Sequence, residues 1–169
     1  LMLRHLYKPV ICKIQGSVLA GALLMVTNST HAIAIKEAKF SAPEILRGLW
    51  PHMVMAGLFR VMPKRAGLDF IMRGHSIDAS KAKEWGLISE ISKHESLMED
   101  ANILALEIVK QPPDALRMAK KLLREGITNS FDTVLEMSAN MQALMHLTED
   151  HQEALSAFFE KRDGNFKGK

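Results

Sequence analysis

The chain contains little of several residue types, and each shortage excludes a class of protein. It has one cysteine, Cys12, so no internal disulfide can form, and a reducing compartment suits it. The formal net charge is only +3, which is too small to indicate nucleic acid as the main partner. The longest apolar run, residues 18–26, is about half of the ~20 residues needed to span a bilayer. We therefore expect no nucleic-acid partner, no membrane span and a cytoplasmic location, or the mitochondrial matrix in a eukaryote.

What is present is typical of an ordinary globular protein. Of the 169 residues, 47% are hydrophobic and 24% are charged, enough for one sizeable core and a small second subdomain. Cys12 lies in an apolar run and is interpreted as a buried structural thiol. The eleven methionines lie mostly at helical core spacing and predict packing. The histidines follow no metal-ligand spacing, and His146 and His151 are predicted to point to different sides of a helix. No metal site is expected.

The order of patterns predicts strands first and helices later. The first third indicates a strand at 9–15, a helix buried all round at 19–28, and short strands at 31–35 and 39–41. A short strand is predicted at 87–91. Four helices are predicted from residue 95 onward, and the last of them is predicted to start at Thr148. Asp78 and Ser130 are predicted as helix caps. We place the domain boundary between 1–92 and 93–169.

The pair Pro43-Glu44 is the most informative local feature. It follows a predicted strand and precedes a corner that contains Gly48 and Pro51. Such an arrangement can hold a single acid or base at the rim of a pocket. The alternative is that Glu44 only stabilises a helix N-terminus after the proline.

Four segments, in this order, together resemble the crotonase superfamily, the enoyl-CoA hydratase/isomerases. They are KPVICKIQGSVLAGA (8–22), AKFSAPEILRGLWP (38–51), GHSIDASKAKEWGLI (74–88) and TEDHQEALSAFFEKR (148–162). The resemblance implies an α/β (α+β) fold: a partial crotonase-type spiral of ββα units in 1–92, followed by a helical C-terminal trimerisation region in 93–169. The first six residues read as the end of an amphipathic helix. We therefore expect the chain to be the C-terminal portion of a larger fold, without the family's N-terminal half.

The resemblance implies two catalytic groups. Gly21 matches the glycine whose backbone N–H helps to form the oxyanion hole for a thioester enolate, with a second N–H donor expected upstream of this chain. Its alternative role is to permit tight helix packing. Glu44 matches the family's second glutamate, a general acid/base that moves protons at the acyl chain.

Two departures from the family pattern change the expected reaction. Hydratases of this family carry a first glutamate three residues after the oxyanion glycine, and Leu24 stands at that position here. A single glutamate resembles the pattern of the family's enoyl-CoA isomerases. His52 replaces a glycine whose backbone helps to seat the hydratase water, so it is a further candidate substrate-binding residue. Its alternative is a helix start without a chemical role.

Phe158 and Lys161 match an aromatic residue and a lysine that lie near the coenzyme A nucleotide in the family. The alternatives are a packed aromatic and a solvated cation at a helix end. The implied substrate is an acyl-CoA thioester, with no metal, flavin or nicotinamide cofactor, and the implied assembly is a homotrimer or hexamer. Two rival hypotheses stay open. One is a catalytically silent homologue that binds acyl-CoA or acts as a scaffold, and the other is RNA binding through the basic stripe of residues 117–124.

Overall fold

The structure is a computed structural model and describes residues 2–169. The strands are β1 (Ile11–Ile14), β2 (Val18–Leu19), β3 (His31–Ile35), β4 (Lys39–Ser41), β5 (Ile77–Asp78) and β6 (Glu90–Ser92). The α-helices are α1 (Met2–His5), α2 (Leu23–Thr27), α3 (His52–Val61), α4 (Lys64–Arg73), α5 (Ala79–Glu84), α6 (Leu97–Val109), α7 (Pro113–Gly126), α8 (Phe131–Met145) and α9 (Glu149–Glu160). Short 3-10 helices cover Ala20–Ala22 and Pro43–Arg47.

The chain divides into two compact units. The first comprises residues 2–5 and Val10–Asn102, and the second comprises Leu6–Pro9 and Ile103–Lys169. All six strands lie in the first unit, whereas α7, α8 and α9 lie in the second. The domain boundary at 92/93 stays a prediction, because compactness does not test whether either part folds alone.

The first unit contains two three-stranded sheets. One has the order β1-β3-β6, with all strands parallel, and the other has the order β2-β4-β5. In the second sheet β2 and β4 are parallel, while β4 and β5 are antiparallel. Four of the five residues of β3 are buried, as expected for a central parallel strand that is covered on both faces. Parallel strands joined through helices confirm the α/β prediction.

The helix predicted at 19–28 differs from its expected form. It is a 3-10 helix followed by α2, and only one face is buried, through Leu23, Val26 and Thr27. Met25 on the other face is 60% exposed. The prediction of all-round burial was wrong because apolar composition shows a preference for burial but does not supply a packing partner. The buried face lies against α3, where a Cβ on Gly57 would come within 2.2 Å of the Thr27 hydroxyl oxygen.

The two predicted helix caps are present. The Asp78 carboxylate accepts a hydrogen bond from the Lys81 N–H at 2.8 Å, and the Ser130 hydroxyl accepts one from the Thr133 N–H at 3.3 Å. Each satisfies a backbone donor that the first helical turn leaves unpaired. Thr148 caps α9 in the same way. These local signals therefore placed the starts of three helices correctly.

In the second unit the last residues of the chain are tied to the start of α9. The Asp150 side chain is 3% exposed and accepts backbone N–H bonds from Lys167 at 2.7 Å and Gly168 at 2.8 Å. The Asp150 N–H in turn donates to the Lys169 carbonyl oxygen. A buried carboxylate needs such donors, and here the backbone provides them. Within residues 2–169, no helix is both long enough and apolar enough to cross a membrane.

His146 and His151 do not lie on one continuous helix. α8 ends at Met145 with His146 as its C-cap, and α9 begins after Thr148. The two rings meet at this corner, with 2.9 Å between His146 Nδ1 and His151 Nε2. The prediction that they point to different sides was wrong, because it applied helical spacing across a break in the helix.

Candidate active site

The parallel pairing of β2 and β4 places the two predicted catalytic residues at one sheet edge. Leu19, the last residue of β2, pairs with Ser41, the last residue of β4. Gly21 follows the first strand and Glu44 follows the second, each in a short 3-10 helix. Parallel strands end at the same edge, which is where open α/β sheets commonly bind ligands. The register therefore brings Gly21 and Glu44 to the same side of this sheet.

Glu44 has a buried carboxylate oxygen without a partner. The residue is half-buried, and its Oε2 is one of two buried side-chain polar atoms in the described residues that lack a hydrogen bond. Its backbone is fixed, because the Leu49 N–H donates to the Glu44 carbonyl oxygen at 3.1 Å. An unsatisfied buried polar group costs about 1–3 kcal/mol, and more when it is charged. An anchored backbone with an unpaired carboxylate suits a group that acts on a ligand.

The 3-10 helix that carries Glu44 is packed against the end of α4. Gly74 ends α4 in the left-handed conformation, with φ at 59°. A Cβ at Gly74 would lie 2.7 Å from Ile45 Cγ2 and 2.9 Å from Leu46 Cγ. The two residues that follow Glu44 are thus held by a contact that only glycine allows.

Gly21 lies in open surroundings. It is exposed, and a Cβ built on it would meet nothing within 4 Å. Its N–H belongs to the first turn of the 3-10 helix Ala20–Ala22, where backbone donors have no acceptor within the helix. The alternative role in tight helix packing is therefore wrong for this position. The space over Gly21 is free for a ligand oxygen to approach the backbone.

Leu24 and His52 lie in the helices that follow. Leu24, on α2, is half-buried, and its carbonyl oxygen accepts a bond from Asn28 Nδ2 at 2.8 Å. Its side chain has no titratable group. His52 is the first residue of α3, is exposed, and donates its backbone N–H to the Trp50 carbonyl oxygen at 2.8 Å. A role for its imidazole in substrate binding stays a prediction.

Phe158 and Lys161 lie near the end of α9 in the second unit. Phe158 is 78% exposed and makes an edge-to-face contact with Phe159, at a centroid distance of 5.7 Å. The ring is thus not packed within this chain, and its role in ligand binding stays a prediction. Lys161 ends the helix in the left-handed conformation, and its N–H donates to the Phe158 carbonyl oxygen. Both side chains are available to a ligand in this chain.

A cavity of about 400 Å³ lies beside Phe158, and sequence reasoning missed its charged wall. Arg162 lines it together with Lys110 and Phe166. The Arg162 guanidinium binds both carboxylate oxygens of Glu153, at 2.5 and 3.1 Å, and also contacts Glu160. The pairing joins positions nine residues apart, which lies outside the spacing of pairs within a helix, so no local signal could have revealed it.

The Glu153 carboxylate gives a pH-dependent contact that can be measured. Hydrogen bonds from Arg162 and from the Asn165 N–H lower its pKa from 4.5 to about 2. A carboxyl group whose pKa is depressed by folding stabilises the folded state at pH values above its ordinary pKa. This stabilisation is lost as the pH falls through the pKa that the group has in the folded state. We expect the Asn165 amide NMR signal of the folded chain to shift as the pH falls below about 3 toward the folded pKa of about 2, and not between pH 7 and 5. Glu153→Gln should remove this acid-range shift, and its persistence in that variant would contradict the assignment.

The basic stripe of residues 117–124 is largely engaged within the chain. Arg117 pairs with Asp114 at 2.5 Å, and Arg124 pairs with Glu125 at 3.1 Å. Burial and the nearby Arg124 charge lower the pKa of Lys120. These internal pairs reduce the charge that the stripe can offer to phosphates, so the RNA hypothesis gains no support.

Comparison with known proteins decides the family. The model of the enoyl-CoA hydratase/isomerase family matches residues 1–169. The chain belongs to this family, within the crotonase superfamily. The protein named 1,2-epoxyphenylacetyl-CoA isomerase of Escherichia coli (strain K12) is 31% identical over 99% of this chain and 64% of its own length. The 2,3-dehydroadipyl-CoA hydratase of the same strain is also 31% identical, over 96% of this chain and 64% of its own length.

Solved structures confirm the crotonase fold of this family member. The enoyl-CoA hydratase of Bacillus anthracis superposes with a TM-score of 0.94 at 30% identity, over 99% of this chain and 66% of that one. An enoyl-CoA hydratase/isomerase from Mycobacterium paratuberculosis gives a TM-score of 0.91 at 28% identity, over 99% and 66% of the two chains. The chain thus spans about 64% of the length of the curated relatives that it matches.

Proposed function

We propose that this crotonase-family chain acts on an acyl-CoA thioester by single-glutamate proton transfer. In this proposal Glu44 is the general acid/base, and the Gly21 N–H is one donor of an oxyanion hole. The observation that carries the proposal is the buried, unpaired Oε2 of Glu44, on a residue that follows the same sheet edge as Gly21. The relatives named as isomerase and hydratase, both of CoA thioesters, support the substrate class.

The proton moves between two carbons in this mechanism. The Glu44 carboxylate removes a proton from C2 of a 3-enoyl-CoA, and the electron pair delocalises onto the thioester oxygen as a dienolate. The Gly21 N–H stabilises that oxygen, and losing one such donor typically costs about 3 kcal/mol. The protonated Glu44 then returns the proton to C4, which gives the 2-enoyl-CoA and restores the carboxylate. No water or redox partner is consumed.

Leu24 favours isomerisation over hydration. Adding water across the double bond usually employs a second carboxylate, and the Leu24 side chain can neither accept nor donate a proton. Hydration and isomerisation share the enolate chemistry, so the two reactions differ in whether a second carboxylate acts together with Glu44. The one-carboxylate arrangement therefore suits the reaction in which one group both removes and returns the proton.

Coenzyme A binding and assembly extend the proposal. In the second unit, Phe158 offers an exposed ring for stacking on the adenine and Lys161 offers a cation for the phosphates. In the first unit, His52 is proposed as a further substrate-binding residue. A homotrimer or hexamer is proposed for the helical region. Support comes from large apolar side chains on α7, α8 and the segments that follow them, which are exposed in the single chain: Leu123, Ile127, Phe131, Leu135, Leu144 and Leu147. Exposed apolar surface of this extent is typical of protein–protein contact.

The second candidate is a catalytically silent homologue that binds acyl-CoA or acts as a scaffold. It is favoured by the absence of a carboxylate at Leu24. Both candidates bind the thioester, but only the first moves a proton. Binding alone therefore cannot separate them, whereas proton exchange at the acyl chain can.

Proton exchange tests the proposed function directly. With the full chain in D₂O, we expect a 3-enoyl-CoA to be converted to the 2-enoyl-CoA, with hydration slower by at least about tenfold. The acyl products and their deuterium content are measured by mass spectrometry. Binding without exchange would favour the silent homologue, and faster formation of 3-hydroxyacyl-CoA would overturn the single-carboxylate mechanism.

A further inference from the structure

Outside the candidate active site, two imidazole nitrogens meet at the corner between α8 and α9. His146 Nδ1 lies 2.9 Å from His151 Nε2, and the ring planes cross at 80°. One nitrogen donates and the other accepts, so this contact requires at least one neutral ring. Ring nitrogens of neutral histidines are also the commonest protein ligands for metal ions.

We propose that the His146–His151 pair binds a divalent transition-metal ion that takes imidazole ligands at adjacent, right-angled positions, such as Cu²⁺ or Ni²⁺. Metal–nitrogen bonds are about 2.0–2.1 Å, so two ligands at a right angle have nitrogens roughly 2.9 Å apart. A tetrahedral angle would separate them by roughly 3.3 Å. The observed 2.9 Å belongs to the hydrogen-bonded pair and shows that the two nitrogens come close enough to share one ion. Cu²⁺ is the strongest candidate because nitrogen sites bind it more tightly than Zn²⁺ or the other first-row divalent ions.

The corner holds the two rings in place before any metal arrives. The Thr148 hydroxyl accepts the His151 N–H at 3.2 Å and contacts the Met145 carbonyl oxygen at 2.8 Å. Gln152 Nε2 lies 3.5 Å from the His146 carbonyl oxygen. Both backbone positions are thus fixed relative to each other, which reduces the ordering cost of chelation. The rings need only rotate about their own side-chain bonds to aim both lone pairs at one ion.

The surroundings leave room for the remaining ligands. His146 is exposed and His151 is half-buried, so water can fill the other coordination positions. The positive end of α9 opposes a cation here, and the carboxylates of Glu149 and Asp150 in its first turn offset that effect. Within residues 2–169, no group of three or more His, Cys, Asp or Glu side chains forms a metal cage. The site is therefore a two-ligand site of modest affinity.

Copper titration of the full chain at pH 8 tests this assignment, with Cu²⁺ as the probe. We expect one Cu²⁺ per chain by calorimetry and an EPR spectrum with two nitrogen ligands. His146→Ala and His151→Ala should each weaken binding by at least about tenfold. The double variant should be little weaker than either single variant, because one imidazole alone cannot chelate. His94→Ala, which removes an exposed histidine of the first unit, is the matched control and should change nothing.

A thermal readout separates chelation from loose surface binding. An ion that binds only the folded corner raises Tm as its concentration rises. The wild-type chain and His94→Ala should show this rise, and the two corner variants should not. The site would be overturned if the His146→Ala or His151→Ala variant bound copper as tightly as the wild-type chain. Additive losses of affinity in the double variant would overturn it as well.

Discussion

Glu44→Gln is expected to lower turnover of an enoyl-CoA by about 10²–10⁴-fold, the usual contribution of a positioned general acid/base. Glutamine preserves the shape of the side chain but cannot shuttle a proton. Because Oε2 is buried and unpaired, replacing the charge with a neutral amide should leave Tm unchanged or raise it. The measurements are kcat and KM for isomerisation, with Tm from circular dichroism.

The matched control for this prediction is Glu37→Gln. Glu37 is exposed in the turn between β3 and β4, in the same unit, and should affect neither kcat nor Tm. A loss of activity at Glu44 without a loss of stability is the signature of a residue kept for function. Undiminished kcat in Glu44→Gln would show that another group moves the proton.

Gly74→Ala is expected to destabilise the chain by about 2–5 kcal/mol. The left-handed conformation at Gly74 costs an alanine roughly 1–2 kcal/mol. The new Cβ would also lie 2.7 Å from Ile45 and 2.9 Å from Leu46, and such overpacking costs about 1–3 kcal/mol more. Urea unfolding gives the change in free energy. Because the displaced residues directly follow Glu44, kcat should fall as well.

Two glycines of the same unit serve as controls and separate these costs. Gly48 also has a positive φ, 72°, but a Cβ there would meet nothing within 4 Å. Gly48→Ala should therefore cost only the conformational part, roughly 1–2 kcal/mol. Gly16 has neither a positive φ nor a neighbour within 4 Å, so Gly16→Ala should lie within about 0.5 kcal/mol of wild type. Equal losses for Gly74→Ala and Gly48→Ala would show that the Ile45 and Leu46 contact relaxes without cost.

Local signals predicted much of the secondary structure, because their physics is local. The strands β3 and β4 have the predicted bounds, Asp78 and Ser130 cap helices as expected, and the last helix begins directly after Thr148. The prediction that the helix at 19–28 is buried all round was wrong, because the sequence does not show which neighbour would cover Met25. The prediction that His146 and His151 point to different sides of a helix was wrong, because their contact depends on the break between two helices.

The candidate active site shows the same division. Gly21 and Glu44 were selected from motifs, but their common position at a sheet edge depends on the parallel register of β2 with β4. The unpaired Oε2 of Glu44 and the contact of Gly74 with Ile45 are properties of three-dimensional packing. The cavity wall formed by Arg162 and the pairing of Arg162 with Glu153 could not be predicted, because the two residues are nine positions apart and follow no helical spacing.

The amino-acid sequence by itself determined the family, the alternation of strands and helices, and the chemical identity of the groups, including the absence of an acid at Leu24. These depend on residue type and on spacing within a few residues. Only the tertiary structure decided that the Glu44 carboxylate is buried without a partner, that Gly21 stands open, and that two histidines meet at a corner. Those properties arise from contacts between segments that are distant in the chain, and such contacts are fixed by the packing of the folded protein as a whole.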